Sequence, residues 1–269
     1  MNRSTSLLLS AAFVVAFTTT ECHAFQTNHL GAIGLPRTLP KQNTKPSAGS
    51  TAMFMATQSP PPSSQIETNG IKDPSTLLSA QDDRTQQLGF LAIFSSVILG
   101  SIGFIALYDQ LEILLPPSIF QPFYTILPYV LSTAFLAAGT SHFVIEDTFV
   151  AFVPPKGSWG GLWQAPAPFS ETLGLSYAEY HNRWSGLAEI AASISLIATT
   201  FHLAELGPYP AMAMYLLTGA VTPANIYMYT HDPVVPRIPA LPYPWGHVGR
   251  GVLQMALLGV FFKLGVHSM

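Results

Sequence analysis

The run LGFLAIFSSVILGSIGFIALY, residues 88–108, decides the fold: 21 consecutive residues carry no charge. A helix rises ~1.5 Å per residue, so the run is ~31 Å long, enough to cross a ~30 Å hydrocarbon core. Four further segments approach that length: residues 122–142, 184–202, 211–229 and 248–266. Pro116-Pro117, Pro154-Pro155, Pro208 to Pro210 and the Pro-rich run 233–244 separate them, which is helix punctuation. The segments are apolar on nearly every face, so helical periodicity adds little. Lipid forces the backbone to bond to itself, which leaves helices as the spanning element. The expected fold class is all-α: a transmembrane helix bundle over residues 88–269.

Composition agrees. Of 269 residues 49% are hydrophobic and 9% charged, against about 25% charged in an ordinary soluble domain. The mean hydropathy of +0.35 averages a polar front with a far more apolar rear. The net charge is −3, with 11 basic residues and no basic stripe; counterion displacement from nucleic acid needs clustered Lys and Arg, so nucleic acid is excluded as a partner. The lipid bilayer is the expected partner. The single cysteine, Cys22, excludes a disulfide framework, a CxxC redox pair and a Cys-rich zinc site.

The front of the chain reads as an address. Residues 1–24 hold Arg3, an apolar run at 7–17 too short to span a bilayer, and Cys22-His23-Ala24, a signal peptide with small residues before Phe25. Residues 25–66 hold Arg37, Lys41 and Lys45, many Ser, Thr and Pro, and no Asp or Glu, the composition of an organellar transit peptide. The junction Ala24-Phe25 resembles the bipartite plastid presequences of algae such as diatoms, which places the mature protein in a plastid membrane, thylakoid or envelope. Residues 67–87 read as a polar disordered linker.

The few charges give a topology. With the N-terminal flank on side one, Arg84, Lys156, Arg183, Arg237 and Arg250 all fall there. Side two receives Lys263 with Asp109, Glu112 and Glu205. That asymmetry is what the positive-inside rule asks of five spans. Trp159, Trp163, Trp184 and Trp245 also fall on side one, where interfacial anchors sit.

Polar groups inside spans are costly and each needs a reason. His142 closes the second segment, and Glu146, four residues on, shares its face if the helix continues. Glu189 lies six residues after Arg183, Asn225 follows Pro223, and Arg250 and Gln254 open the last segment. All six candidates, His142, Glu146, Glu189, Asn225, Arg250 and Gln254, are expected in the side-one half. They form either a ligand pocket or an intrabundle polar cluster, with Glu189 and Arg250 as natural ion partners and Asn225 bonding Gln254 or capping its helix end.

The same residues carry a family resemblance. Residues 122–266 resemble a DoxX-like membrane protein through Ala138-Gly139-Thr140-Ser141-His142-Phe143, Ser185-Gly186-Leu187-Ala188-Glu189-Ile190, Pro223-Ala224-Asn225-Ile226-Tyr227-Met228 and Arg250-Gly251-Val252-Leu253-Gln254. The resemblance implies a four-helix core with one added N-terminal span. It departs at Val252, where the family often has proline, and in the long insertion 156–180. It also implies a link to quinone- or sulfur-linked redox subunits, with a quinone as the candidate cofactor. The other reading is a non-catalytic scaffold or assembly factor of a photosynthetic or envelope complex. Haem shared by His142 with His231 or His247 lacks a defined separation. Chlorophyll held by a Glu–Arg pair has the wrong motif order. No metal site is expected, because His142, Glu146 and Asp147 lack a fourth ligand. A carrier is disfavoured, since the spans show no inverted repeat.

Overall fold

The computed structural model describes residue 71 and residues 73–267, and all regular structure among them is helical. The signal peptide, the transit peptide and the start of the linker lie outside the described residues. The end of that linker is not irregular: residues Pro74–Thr76 and Leu78–Ala80 form two 3-10 turns.

Helix α1 runs Asp83–Leu114. Asp82 caps it by accepting from the Thr85 amide, and Asp83 sits in the first turn, where the helix dipole favours an anion. It stops at Leu115, ahead of Pro116, because a residue before proline is pushed out of the helical region. Helices α2 (Pro117–Thr125) and α3 (Leu127–Val144) follow one another across Ile126. The short α4 is Glu146–Val150. Helix α5, Tyr177–Thr200, starts with a capping box in which Ser176 and Glu179 bond each other's amides. Helices α6 (Tyr209–Ala220) and α7 (Thr222–His231) meet at Val221, and α8 is Trp245–His267.

Three helical stretches are long and apolar enough to cross a membrane: Asp83–Leu114, Pro117–Val144 and Trp245–His267. This is the build of a membrane protein. The other two expected spans take a different form. Helix α5 has the length, with 24 residues, but Arg183, Glu189 and its serines dilute its apolar character. The segment 211–229 is divided, because Pro223 has no N–H to return to the Gly219 carbonyl, so α6 and α7 are separate pieces of 12 and 10 residues.

Packing follows small residues. Helix α3 makes its most extensive contact with α5, and α1 with α8. A Cβ on Gly186 would lie 2.6 Å from His142 Cβ, and one on Gly139 3.0 Å from the Gly186 carbonyl oxygen, so neither helix could approach the other with a larger residue there. Between α3, α5, α6 and α8 lies one apolar core of Ala192, Leu196, Ala211, Met214, Phe261 and Leu264, with Phe135 edge-on to Phe261.

The ends of the bundle are tied by charge and aromatic contacts. Lys263 Nζ reaches Asp109 Oδ1 at 2.6 Å and Glu112 Oε2 at 2.9 Å, so the last turns of α1 and α8 share an end. These are three of the four charged residues assigned to side two. At the other end the insertion folds back onto α1, where Gln87 Nε2 donates to the Gly160 carbonyl at 2.7 Å. Trp159, expected at an interface, is instead fully buried. Its ring lies 4.2 Å from that of Phe90, and its Nε1 donates to Thr230 Oγ1 at 3.0 Å. A ring with that much apolar area gains more inside a packed cluster than in a headgroup layer. Trp184 and Trp245 are exposed, Trp245 at 77%.

Candidate functional site

The six polar residues separate into three groups. In the first, α3 and α5 present His142 and Glu189 to each other, with His142 Nε2 3.4 Å from Glu189 Oε2 and side chains 14% and 13% exposed. The other ring nitrogen, Nδ1, lies 2.8 Å from Asn182 Oδ1 and 3.0 Å from the Asn182 carbonyl oxygen. Asn182 Nδ2 donates back to the His142 carbonyl at 2.9 Å, and Phe149 stacks on the imidazole at 4.0 Å. The close approach allowed by Gly186 is what brings these side chains into contact.

The second group is an ion pair at the surface. The helix ends at Val144, and Ile145 leaves helical geometry, so Glu146 does not continue the face of His142 as expected. It turns instead to Arg183, whose Nε donates to Oε1 at 2.7 Å. Asp147 pairs likewise with Arg237 at 2.9 Å. Both pairs are partly exposed and contribute little beyond fixing loop geometry.

The third group repairs the helix break. Gln254 Nε2 on α8 donates to the Thr218 carbonyl at 2.6 Å and to Thr222 Oγ1 at 3.0 Å, while its Oε1 accepts from Asn225 Nδ2 at 2.8 Å. The Thr218 carbonyl, next to the Gly219 carbonyl that Pro223 leaves without its helical donor, thus accepts at the break from both Gln254 and the Thr222 hydroxyl. Arg250 Nη2 donates to Asn225 Oδ1, and its guanidinium lies over the Phe152 ring at 5.6 Å. The expected ion pair between Glu189 and Arg250 is not formed. Glu189 faces His142 and Arg250 faces Asn225, because each charge has a closer polar partner across its own helix contact.

Two patterns visible in the sequence were missed. Asn182, Gly186 and Glu189 are spaced i, i+4, i+7 along α5. Thr218, Thr222 and Asn225 repeat that spacing across the α6–α7 break. Each places a partner on the same face as a chosen residue.

Other residues line two cavities among the described residues. An open cleft of about 330 Å³ lies between the start of α1 and the end of α7, bordered by Leu78, Gln81, Gly89, Ile93, Tyr229 and Tyr243. Tyr229 and Tyr243 stack there with centroids 5.5 Å apart. A smaller, more enclosed cavity of about 40 Å³ holds Met228, Asp232 and His247 beneath the loop 233–241. Asp232 closes α7 in a left-handed conformation (φ 42°, ψ 56°), and burial pushes its carboxyl above the usual carboxylate range. Comparison with known protein families, characterised proteins and solved structures finds no match to this chain.

Proposed function

We propose that the protein is a multi-span plastid membrane protein of DoxX-like build, with a four-helix core of α3, α5, α6–α7 and α8 and with α1 as an added span. In this reading it is a quinone-binding, redox-linked subunit. The observation that carries the ligand is the 330 Å³ cleft, whose size falls within the range of small-molecule pockets. Its apolar wall of Leu78, Ala92 and Ile93 suits a ring and isoprenoid stem. The Tyr229 and Tyr243 hydroxyls suit ring carbonyls. The cleft lies beside the start of α1, and in this reading that end of the bundle is where a quinone head would leave the acyl layer.

Purified in mild detergent, the wild-type chain is expected to carry a quinone detectable in a lipid extract by mass spectrometry. Ala92→Trp, which fills the cleft, should lower that occupancy at least about tenfold, which corresponds to ~1.4 kcal/mol. Glu189→Gln, outside the cleft, should retain it. A wild-type protein without quinone, or an Ala92→Trp variant that keeps it, contradicts the redox reading.

A second reading is a non-catalytic scaffold or assembly factor. Its support is the way His142, Glu146, Glu189, Asn225, Arg250 and Gln254 are bonded by the chain itself, as in a cluster that sets helix register. Stable membrane-complex subunits recovered with a quinone-free wild type would favour it.

A further inference from the structure

The enclosed cavity beneath the loop 233–241 contains an electrostatic deficit. His247, whose side chain is 4% exposed, has no hydrogen-bond partner at either ring nitrogen. Asp232, 10% exposed at its side chain, forms no ion pair with any lysine or arginine among the described residues, and its Oδ1 stands 4.0 Å from His247 Nε2. That gap is too long for a direct hydrogen bond. A buried carboxylate beside an unbonded imidazole costs several kcal/mol unless something lies between them.

The third polar wall is a sulfur. Met228, in the last turns of α7, lines the same cavity as Asp232 and His247 and is 4% exposed. Arg250, one turn beyond His247, is occupied with Asn225 and the ring of Phe152. A thioether, an imidazole and a carboxylate thus line a space of about 40 Å³, larger than a single water requires.

We infer that Met228, Asp232 and His247 form a binding site for a soft monovalent transition-metal ion, copper(I). Thioether ligands select copper(I) over harder ions, and imidazole suits copper as well. Charge balance points the same way. With Arg250 already one turn from His247, a monovalent ion opposite Asp232 adds less positive charge to the apolar bundle than zinc(II) would. Metal–nitrogen and metal–oxygen bonds of ~2.0–2.2 Å sum to slightly more than the observed 4.0 Å separation. An ion therefore fits between the two groups nearly in line, and a closing of about 0.5 Å makes the site trigonal with Met228. This site is separate from the quinone cleft, and either can fail without the other.

The test is an anaerobic copper(I) titration of the full-length chain in detergent against a competing chelator, with zinc(II) in parallel. One copper(I) is expected to bind at this site. His247→Leu and Asp232→Asn should each weaken its binding at least about tenfold, the lower bound for losing even an outer-shell contact. Met228→Leu should weaken copper(I) and leave zinc(II) binding unchanged. X-ray absorption on copper-loaded wild type should show one sulfur neighbour that Met228→Leu removes, a readout that holds even if the Asp232 or His247 variants do not fold. Equal copper binding in wild type and the folded variants, or a copper environment without sulfur, overturns the inference.

Discussion

Trp159→Ala is expected to destabilise the protein by about 3–5 kcal/mol, the range for removing a buried aromatic side chain. Trp159 has no exposed surface, packs against Phe90 on α1 and Trp163 in its own loop, and bonds Thr230 on α7. Its loss opens a cavity where three parts of the chain converge and removes one partner of the Thr230 hydroxyl. A fall in the detergent melting temperature should follow, together with proteolysis in the part of the insertion ahead of α5, residues 156–176. Trp159→Phe, which keeps most of the ring area, should recover more than half of the lost stability. A melting temperature unchanged in Trp159→Ala would mean that the insertion does not pack on α1 and α7.

Gly186→Val is expected to be about as damaging, at roughly 3 kcal/mol, the upper part of the range for overpacking a tight contact. The new side chain would collide with His142 Cβ and Cγ on α3, and the backbone of Gly139 stands behind them. The helices must separate, and separation pulls His142 from Asn182 and Glu189 at once. Those buried polar groups would then lose partners that lipid cannot replace. Gly103→Ala is the control, because a Cβ there meets nothing within 4 Å. Thermal melting of the two variants in the same detergent decides the matter. Equal melting temperatures would contradict the close α3–α5 contact.

Much of this architecture was legible before any coordinates, and the reasons are physical. Residues 88–108 and 248–266 could be nothing but long apolar helices, because their length and lack of charge leave no other stable use. The pairing of Lys263 with Asp109 and Glu112 links three charges that the sequence had already placed on one side. The polar contacts were less legible. Position along a span predicts depth but not the direction in which a side chain points, so Glu189 and Arg250 were matched by depth while their actual partners were chosen by helix face. Asn182 and Thr218 carry no charge to mark them as polar partners, although each falls on the same face as a residue singled out, Glu189 and Asn225. Trp159 was misplaced for a different reason. Its surroundings come from Phe90, Ile226 and Thr230, which lie far away in the chain, and a ring's burial depends on neighbours that local composition does not reveal. The division at Val221 had a local cause, Pro223, and it was the carbonyl near that break that gave Gln254 its role.

The account depends on apolar helices that thread a bilayer with the insertion at one face and the α5–α6 turn at the other. With Cys22, the only cysteine, replaced by serine, Thr172→Cys and Glu205→Cys each supply a single exposed thiol at opposite ends of the bundle. Reconstituted into sealed vesicles and sorted by orientation, the two variants should react with a membrane-impermeant thiol reagent from opposite faces only. Labelling of both from the same face, or of neither until detergent is added, would contradict the threaded bundle.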